Sequence, residues 1–310
     1  MKLKALTKDK KIGIYVGSSP LQPDQSVIAC RQLSELGFFY FAHIDPACAY
    51  DSKEHGFCSA SGYDRFTSLQ DLYKDSECGA ILCSRGGYGA HQVLEQFQTN
   101  KFVTAPKAIS GFSDVTPLLN FIQQKYGVPT IHGPSLMSLL NYQTSPEVKQ
   151  SVDELFILLT DSSYRQTVNA NLLKDGSGKG ELLVGNLAML VSVIGTPFDL
   201  DYKDKILVLE EVNEAPYRVH RMLMQLKLAG KLKDLQACVF GSFSYDKSRK
   251  GLTMDDVFEL SLEDIFKDYS YPVLSGFPLG HQDRNMPLAI GCRASVVGAV
   301  FKTLESPLEE

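Results

Sequence analysis

The amino-acid sequence predicts an α/β protein of two domains, the first of which is built on a parallel sheet. The chain has 310 residues, which exceeds the usual size of one domain and suits two. In its first half, short apolar runs alternate with segments whose apolar residues recur at helical spacing, and this alternation favours a parallel sheet covered by helices on both faces. From about residue 180 onward strand-like runs dominate, so we expect a second, smaller α/β domain.

The predicted N-terminal domain begins with four strand-like runs, each followed by a helical pattern. The strand-like runs are KIGIYVG (11–17), FFYFAHI (38–44), GAILCSRGG (79–87) and KAISGF (107–112). The helical patterns are DQSVIACRQLSELG (24–37), SLQDLYKD (68–75), GAHQVLEQF (89–97) and TPLLNFIQQKYG (116–127). Glycine at the end of the first helical pattern is typical of a helix C-terminus.

A polar helical stretch (145–170) and the turn-rich segment NLLKDGSGKG (171–180) lead out of this domain. We therefore place the N-terminal domain at residues 1–168, a linker at 169–180 and the C-terminal domain at 181–310. The periodic segments of the second domain are GELLVGNLAMLVSVIG (180–195), KILVLEEV (205–212), RVHRMLMQLKLAG (218–230), LQACVFGSF (235–243) and CRASVVGAVFKTLE (292–305).

Composition and charge exclude several classes of function. Hydrophobic residues make up 44% and charged residues 22% of the chain, which is ordinary for a globular protein. The net charge is −5 and the basic residues are dispersed among acids, which argues against a nucleic-acid partner. No secretory signal precedes the first strand, and no apolar run approaches the roughly 20 residues of a membrane span. We expect a soluble, cytoplasmic protein without a membrane partner.

Cysteine and histidine spacing gives no support for a metal site or another cofactor. The seven cysteines form an odd set without a CxxC pair, which favours reduced thiols over a disulfide framework or a zinc site. They are Cys30, Cys48, Cys58, Cys78, Cys83, Cys238 and Cys292. No HExxH or comparable ligand spacing occurs.

Three turns follow strands of the predicted parallel sheet, where ligands of such sheets bind. They are residues 17–19, 85–89 and 111–114. The second, RGGYG, does not match the dinucleotide fingerprint GxGxxG, because Gln92 stands at the third glycine position. Its three glycines either form a tight bend or allow backbone N–H groups to approach a reacting oxyanion.

Ser113 lies between a strand and a helix, and two roles are open to it. It could cap the helix, since serine is a favoured N-cap residue. Proline prefers the first helical position, however, so Thr116-Pro117 assigns the cap to Thr116. Ser113 could instead be a nucleophile on a sharp strand-to-helix bend, although Val115 replaces the second glycine of the GxSxG motif.

A serine nucleophile needs a base, and His281 is the best candidate by position. It lies in SGFPLGHQDRNMPLAIG (275–291), whose prolines and glycines exclude regular structure, and long loops are usually functional. A solvated loop histidine is the alternative. The base is usually oriented by a carboxylate. Glu210 and Glu211 end an apolar strand and face opposite sides of it, and the strand register selects Glu210.

Five motifs together resemble the LD-carboxypeptidases, a family of serine peptidases related to the microcin C immunity peptidases. They are RGGYGA (85–90), GFSDVT (111–116), GNLAML (185–190), LEEVNEAPYRVHRML (209–223) and GFPLGHQDRNMPLAIG (276–291). The resemblance runs from residue 12 to about residue 300. The chain departs from the family pattern at YVGSSP, where APSSP is common, and at His220, where an acidic residue is common.

The resemblance implies a flavodoxin- or Rossmann-like N-terminal domain, a C-terminal domain of the swivelling type, and a catalytic triad. The triad would be Ser113, Glu210 and His281, with backbone N–H groups of Gly87 and Asp114 as the oxyanion hole. We further expect Arg85 and Gly86 to contact the substrate, with the Arg85 guanidinium near a C-terminal carboxylate.

The implied reaction is release of the terminal D-alanine from a murein tetrapeptide in the cytoplasm, as in peptidoglycan recycling, without a cofactor. A homodimer is compatible with the sequence. Two alternatives stay open at this stage. The chain could be a microcin-immunity-type peptidase or amidase that acts on peptidyl-nucleotides, or a small-molecule binding protein that uses the same crevice without chemistry.

Overall fold

The computed structural model describes residues 1–47, 57–103, 105–245 and 251–309. Within these ranges the chain forms a six-stranded sheet and an eight-stranded sheet, both with parallel strands at their centre and with helices packed against them. The predicted α/β fold is confirmed.

The described residues form fourteen strands and eight α-helices. The strands are β1 Lys11–Tyr15, β2 Tyr40–Ala42, β3 Cys78–Cys83, β4 Ala108–Gly111, β5 Thr130–His132, β6 Thr167–Asn169, β7 Asn171–Lys174, β8 Ser177–Asn186, β9 Lys205–Glu211, β10 Ala237–Phe243, β11 Val273–Ser275, β12 Leu288–Ile290, β13 Arg293–Val297 and β14 Val300–Thr303. The α-helices are α1 Pro23–Glu35, α2 Gly62–Lys74, α3 Ala90–Gln96, α4 Thr116–Tyr126, α5 Pro146–Thr160, α6 Leu187–Ser192, α7 Pro216–Leu228 and α8 Met254–Ser261.

The first sheet has the strand order β12-β5-β4-β3-β1-β2. Strands β1 to β5 pair with one another in parallel. The edge strand β12 pairs antiparallel with β5. The order β2-β1-β3-β4-β5 is that of flavodoxin-like sheets, whose ligands bind at the switch point between β1 and β3. Because these strands are parallel, the turns that follow β1, β3 and β4 lie together at the carboxyl ends of the strands.

Strand β12 connects the C-terminal part of the chain to the first sheet. Residues 276–287, which contain His281, run directly into β12. Leu288 of β12 pairs with His132 of β5, and Gly111 of β4 pairs with His132 from the other side. The loop of His281 is thereby held close to the end of β4, from which the Ser113 turn begins.

The second sheet has the order β6-β14-β13-β8-β9-β10-β11-β7, with β8 to β11 parallel. The segment predicted as a linker, residues 169–180, contains β7 and the start of β8 and is therefore part of this sheet. Its glycines have a packing role: a Cβ on Gly178 would lie 1.9 Å from the carbonyl oxygen of Gln236, and one on Gly180 would lie 2.3 Å from that of Asp204. Glycine here permits close backbone approach. The domain boundaries themselves remain a prediction.

The prediction that Thr116 caps α4 is wrong. A 3-10 turn, Ser113–Val115, precedes the helix, and the backbone N–H of Thr116 already donates to the Ser113 carbonyl. Val115 occupies the cap position without a side-chain hydrogen bond. The Thr116 hydroxyl instead accepts a hydrogen bond from the backbone N–H of Asn186 at 3.2 Å, so it ties α4 to the end of β8.

Six cysteines are free and buried in the part of the chain that the structure describes. Burial raises the pKa of the Cys83 thiol to about 12, and a negative charge on Asp114 adds to the shift. Cys48 lies outside the described residues. Among the described helices, none is both long and apolar enough to cross a membrane.

Candidate active site

Ser113 lies on a strained bend directly after β4. Its φ angle is +66°, a left-handed conformation that residues with a side chain rarely adopt and that is often found where strain serves function. The preceding Phe112 is fully extended, with φ −153° and ψ −176°. The chain therefore turns sharply at Ser113, as it does at the nucleophile of a strand-to-helix elbow.

His281 and Glu210 form a short, buried contact. The distance between His281 Nδ1 and Glu210 Oε2 is 2.6 Å, and the Glu210 side chain is completely buried while that of His281 is 21% exposed. Because Nδ1–H donates to the carboxylate, Nε2 is the nitrogen left to accept a proton. The Phe112 ring packs edge-on against the imidazole at a centroid distance of 4.9 Å.

Gly280 allows the histidine loop to reach Glu210. Its φ is +131°, and a Cβ at this position would lie 2.2 Å from Ser242 Oγ and 2.9 Å from Glu210 Cβ. A side chain would therefore both strain the backbone and displace the carboxylate. The backbone N–H of Gly280 donates to Asn285 Oδ1 at 3.1 Å, which closes the loop on itself.

Glu211 contacts a different set of groups from Glu210. Its carboxylate accepts hydrogen bonds from Asn186 Nδ2 at 2.9 Å, from the Ala188 backbone N–H at 2.8 Å and from its neighbour Val212 at 2.9 Å. Burial raises the pKa of the Glu211 carboxyl, and these hydrogen bonds oppose the shift. The arrangement holds the start of α6, and it directs Glu211 away from His281.

The glycine turn after β3 packs directly against the Ser113 bend. A Cβ on Gly86 would lie 2.7 Å from Ser113 Cβ and 3.4 Å from the Asp114 backbone nitrogen. Gly87 has a φ of +116°, and a Cβ there would lie 2.5 Å from Ser19 Oγ. These positions need glycine because backbone and side chains approach too closely for any larger residue. The expected oxyanion-hole residues, Gly87 and Asp114, are thus on adjoining turns.

The Asp114 carboxylate joins the three turns. It is buried and accepts hydrogen bonds from Ser18 Oγ at 2.5 Å and from the Ala90 backbone N–H at 2.9 Å. Ser18 follows β1, and Ala90 begins α3 after the glycine turn. One carboxylate therefore fixes the geometry of the turn residues that surround Ser113.

Arg65 supports the same region, although no sequence motif points to it. Its side chain is completely buried and donates to the carbonyls of Gly17 at 2.6 Å and Gly89 at 2.9 Å, and also to Gln92. A Cβ on Gly89 would lie 2.3 Å from an Arg65 guanidinium nitrogen. Nothing in the helical pattern of α2 distinguishes this arginine from a solvated one.

His132 lies behind the site and is a core histidine. It is completely buried on β5, and its ring is 6.1 Å from that of Phe112. Burial lowers the pKa of His132 to about 3, and the nearby His281 contributes a smaller part of the shift. The imidazole is therefore neutral at physiological pH.

The Ser113 bend and the His281 loop face a common cavity of about 310 Å³. Ser113, His281, Gly86 and Gly87 line it, together with the half-buried Arg85 and polar residues from α5 and from the 3-10 segment Leu136–Asn141. The Arg85 guanidinium donates to the Pro20 carbonyl at 3.3 Å. No cluster of metal-binding side chains occurs among the described residues. The arrangement can perform nucleophilic acyl transfer, since a serine on a strained bend and a carboxylate-paired histidine share one cavity.

Comparison with known proteins identifies the family. Residues 12–133 match the model of the LD-carboxypeptidase N-terminal domain, and residues 179–296 match that of the LD-carboxypeptidase C-terminal domain. The chain is 33% identical over 300 residues to a probable murein peptide carboxypeptidase of Bacillus subtilis, covering 95% of this chain and 91% of the relative. It is 29% identical over 305 residues to a murein tetrapeptide carboxypeptidase of Pseudomonas aeruginosa, covering 94% of both chains.

Solved structures show the same fold. A muramoyltetrapeptide carboxypeptidase from Oxalobacter formigenes has a TM-score of 0.78 at 24% identity, covering 94% of this chain and 97% of the other. The microcin C7 self-immunity protein has a TM-score of 0.83 at 20% identity, covering 99% of both chains. The resemblance found in the five sequence motifs is thus confirmed by matches that extend over most of the chain, and the protein belongs to the LD-carboxypeptidase family.

Proposed function

We propose that this protein is a serine carboxypeptidase that releases the terminal D-alanine of a murein tetrapeptide by hydrolysing its L,D amide bond. The observation that carries the proposal is the shared cavity of Ser113, on its left-handed bend, and the His281–Glu210 pair. The relatives named murein peptide and murein tetrapeptide carboxypeptidase support the substrate class. We assign the reaction to the cytoplasm and to recycling of cell-wall peptides.

The proposed reaction is acyl transfer in two steps. Ser113 Oγ attacks the carbonyl carbon of the scissile amide while His281 Nε2 takes the hydroxyl proton, and the backbone N–H groups of Gly87 and Asp114 stabilise the oxyanion. His281 then returns the proton to the leaving nitrogen, the C–N bond breaks, and an ester to Ser113 remains. Water hydrolyses this ester with His281 as base. Glu210 holds the imidazole tautomer and stabilises the imidazolium throughout.

The size of the cavity and the guanidinium of Arg85 in its wall favour a short leaving group with a carboxylate. Its volume of about 310 Å³ lies at the lower end of the range for small-molecule sites. Arg85 places a cation in the wall of the cavity, and guanidinium groups bind carboxylates through paired hydrogen bonds. A C-terminal D-alanine carries such a carboxylate.

The second candidate is a peptidase or amidase acting on peptidyl-nucleotides. The chain shares the fold of the microcin C7 self-immunity protein, and at 20% identity this likeness concerns the fold alone. Proteins commonly stack nucleotide bases on aromatic side chains. The chain contains no tryptophan, and Phe112 in the cavity wall packs against His281. The murein peptide therefore has the better support.

The test is D-alanine release from purified murein tetrapeptide, with pentapeptide and a peptidyl-nucleotide as comparison substrates. We expect release from the tetrapeptide and none from Ser113→Ala. Binding of the tetrapeptide without any hydrolysis by the wild-type protein would support a binding protein instead, and preferential hydrolysis of the peptidyl-nucleotide would support the second candidate.

A further inference from the structure

Asn285 carries an unused hydrogen-bond donor in the wall of the cavity. The residue is only 5% exposed, and its Oδ1 accepts a hydrogen bond from the Gly280 backbone N–H. Its Nδ2 is buried and has no hydrogen-bond partner among the described residues. Buried polar groups are nearly always paired in native proteins, so an unpaired donor beside a cavity indicates a ligand that supplies the acceptor.

The orientation of this amide follows from its partner. A backbone N–H can only donate, so the Asn285 atom that faces Gly280 must be the oxygen, and the NH₂ group must point the other way. The adjacent Ser151 hydroxyl cannot satisfy it. Ser151 Oγ donates to the Glu147 carbonyl and accepts from Arg284 and from the Asn285 backbone N–H, which uses its full capacity.

The other unpaired groups in the cavity wall are also donors. Arg85 Nε is buried without an acceptor, and the Ser135 hydroxyl donates to no residue in the described part of the chain. Asp283 also lines the cavity and accepts a hydrogen bond from Ser145 Oγ at 2.8 Å, and no hydrogen bond joins it to Arg85 Nε or to the Ser135 hydroxyl among the described residues. The spare donors and the Arg85 cation on this part of the wall fit a ligand group with acceptor oxygens and a negative charge.

The proposed mechanism indicates which part of the substrate supplies these acceptor oxygens. In the proposed mechanism His281 returns its proton to the leaving nitrogen, so the leaving residue must lie against the loop that carries His281. Asn285 is four residues further along the same loop and is tied to it through Gly280. The carboxylate of the leaving residue is then the acceptor within reach of this wall.

We propose that Asn285 Nδ2, together with the Ser135 hydroxyl and the Arg85 guanidinium, binds the C-terminal carboxylate of the leaving residue and so restricts the enzyme to free C-termini. This inference rests on the proposed carboxypeptidase function. Asn285 is then a specificity residue: it contacts the substrate but not the reacting atoms.

The variant Asn285→Asp tests this with little change of shape. Aspartate keeps the oxygen that accepts from Gly280, but it loses the NH₂ donor and adds a negative charge facing the carboxylate. We expect kcat/KM for the free-acid tetrapeptide to fall about 10- to 100-fold, the usual loss for a hydrogen bond to a charged group, and the change to appear mainly in KM. Activity on the same peptide with a C-terminal carboxamide should be low in the wild type and unchanged or higher in the variant.

Gln143→Glu is the control, because it adds the same charge to an exposed position that does not line the cavity. It should leave the preference for the free acid intact. If Asn285→Asp lowers turnover of the acid and the carboxamide equally, Asn285 only braces the loop and the inference is wrong. The same holds if the wild type does not distinguish the two peptides.

Binding to catalytically silent protein separates this inference from the proposed function. Calorimetric titration of Ser113→Ala and of Ser113→Ala/Asn285→Asp with both peptides needs no turnover. If Ser113→Ala binds the acid more tightly than the carboxamide, and Asn285→Asp removes this difference, the inference is supported. If the wild type then releases no D-alanine, only the proposed function is refuted. Release of D-alanine without such selective binding refutes the inference alone.

Discussion

Replacing Glu210 by glutamine tests the assigned acid most directly, because the neighbouring Glu211 offers a matched control. Glu210 is completely buried and lies 2.6 Å from His281 Nδ1, so water screens its charge on the imidazole less than it would at the surface. Glutamine keeps the size and a hydrogen-bonding oxygen but removes the charge that stabilises the imidazolium. We expect kcat to fall by roughly 10²- to 10⁴-fold, by analogy with the loss in a serine protease triad, which corresponds to about 3–5 kcal/mol in activation free energy.

The same substitution at Glu211 should act on stability rather than on catalysis. A glutamine there presents one NH₂ group to a site where three donors, from Asn186, Ala188 and Val212, meet. We expect a loss of about 1–3 kcal/mol in unfolding free energy from the unpaired donors, and a change in kcat of less than about tenfold. D-alanine release and urea unfolding of both variants measure the two effects. The reverse order of the kcat losses would show that Glu211, not Glu210, orients the base.

Three further results are expected from the same geometry. Ser113→Ala should lose nearly all turnover while remaining folded by circular dichroism. EDTA should leave wild-type turnover unchanged. A loss of turnover in EDTA that zinc restores would contradict nucleophilic serine catalysis. Gly86→Ala should lower kcat about 10²-fold, because the new Cβ would meet Ser113 Cβ at 2.7 Å and a displacement of this order has that cost; wild-type turnover would show that the turn yields freely. His132 makes the stability pH-dependent. Its pKa is about 3 in the fold and 6.5 in the unfolded chain, so the unfolded state binds more protons between these values and stability falls as the pH drops below 6.5. Between pH 7 and pH 4 His132→Phe should lose about 3 kcal/mol less unfolding free energy than the wild type, and equal losses in urea titrations would contradict this.

Several features of the fold follow from local sequence pattern. The alternation of apolar runs and helical patterns predicts the strands and helices of the first sheet because backbone periodicity and side-chain burial act over a few residues. The packing role of individual glycines does not follow from such patterns. Residues 169–180 look like a linker because of their turn-forming composition, yet Gly178 and Gly180 lie in β8, where the neighbouring backbone leaves no room for a side chain. Amino-acid composition does not show at which glycines the backbone of a distant segment will approach closely.

By itself the sequence determined the α/β class, the family and the chemical types of the candidate site residues, because these depend on local periodicity and on short motifs. Only the tertiary structure decided which of them meet. Glu210 and His281 are 71 residues apart in the chain, and β12 returns to the first sheet to bring the histidine loop towards the Ser113 bend. The structure alone also assigned the support of the turns to Arg65 and the spare donor to Asn285. Such contacts depend on the packing of distant segments, and no local pattern encodes which buried group will find a partner.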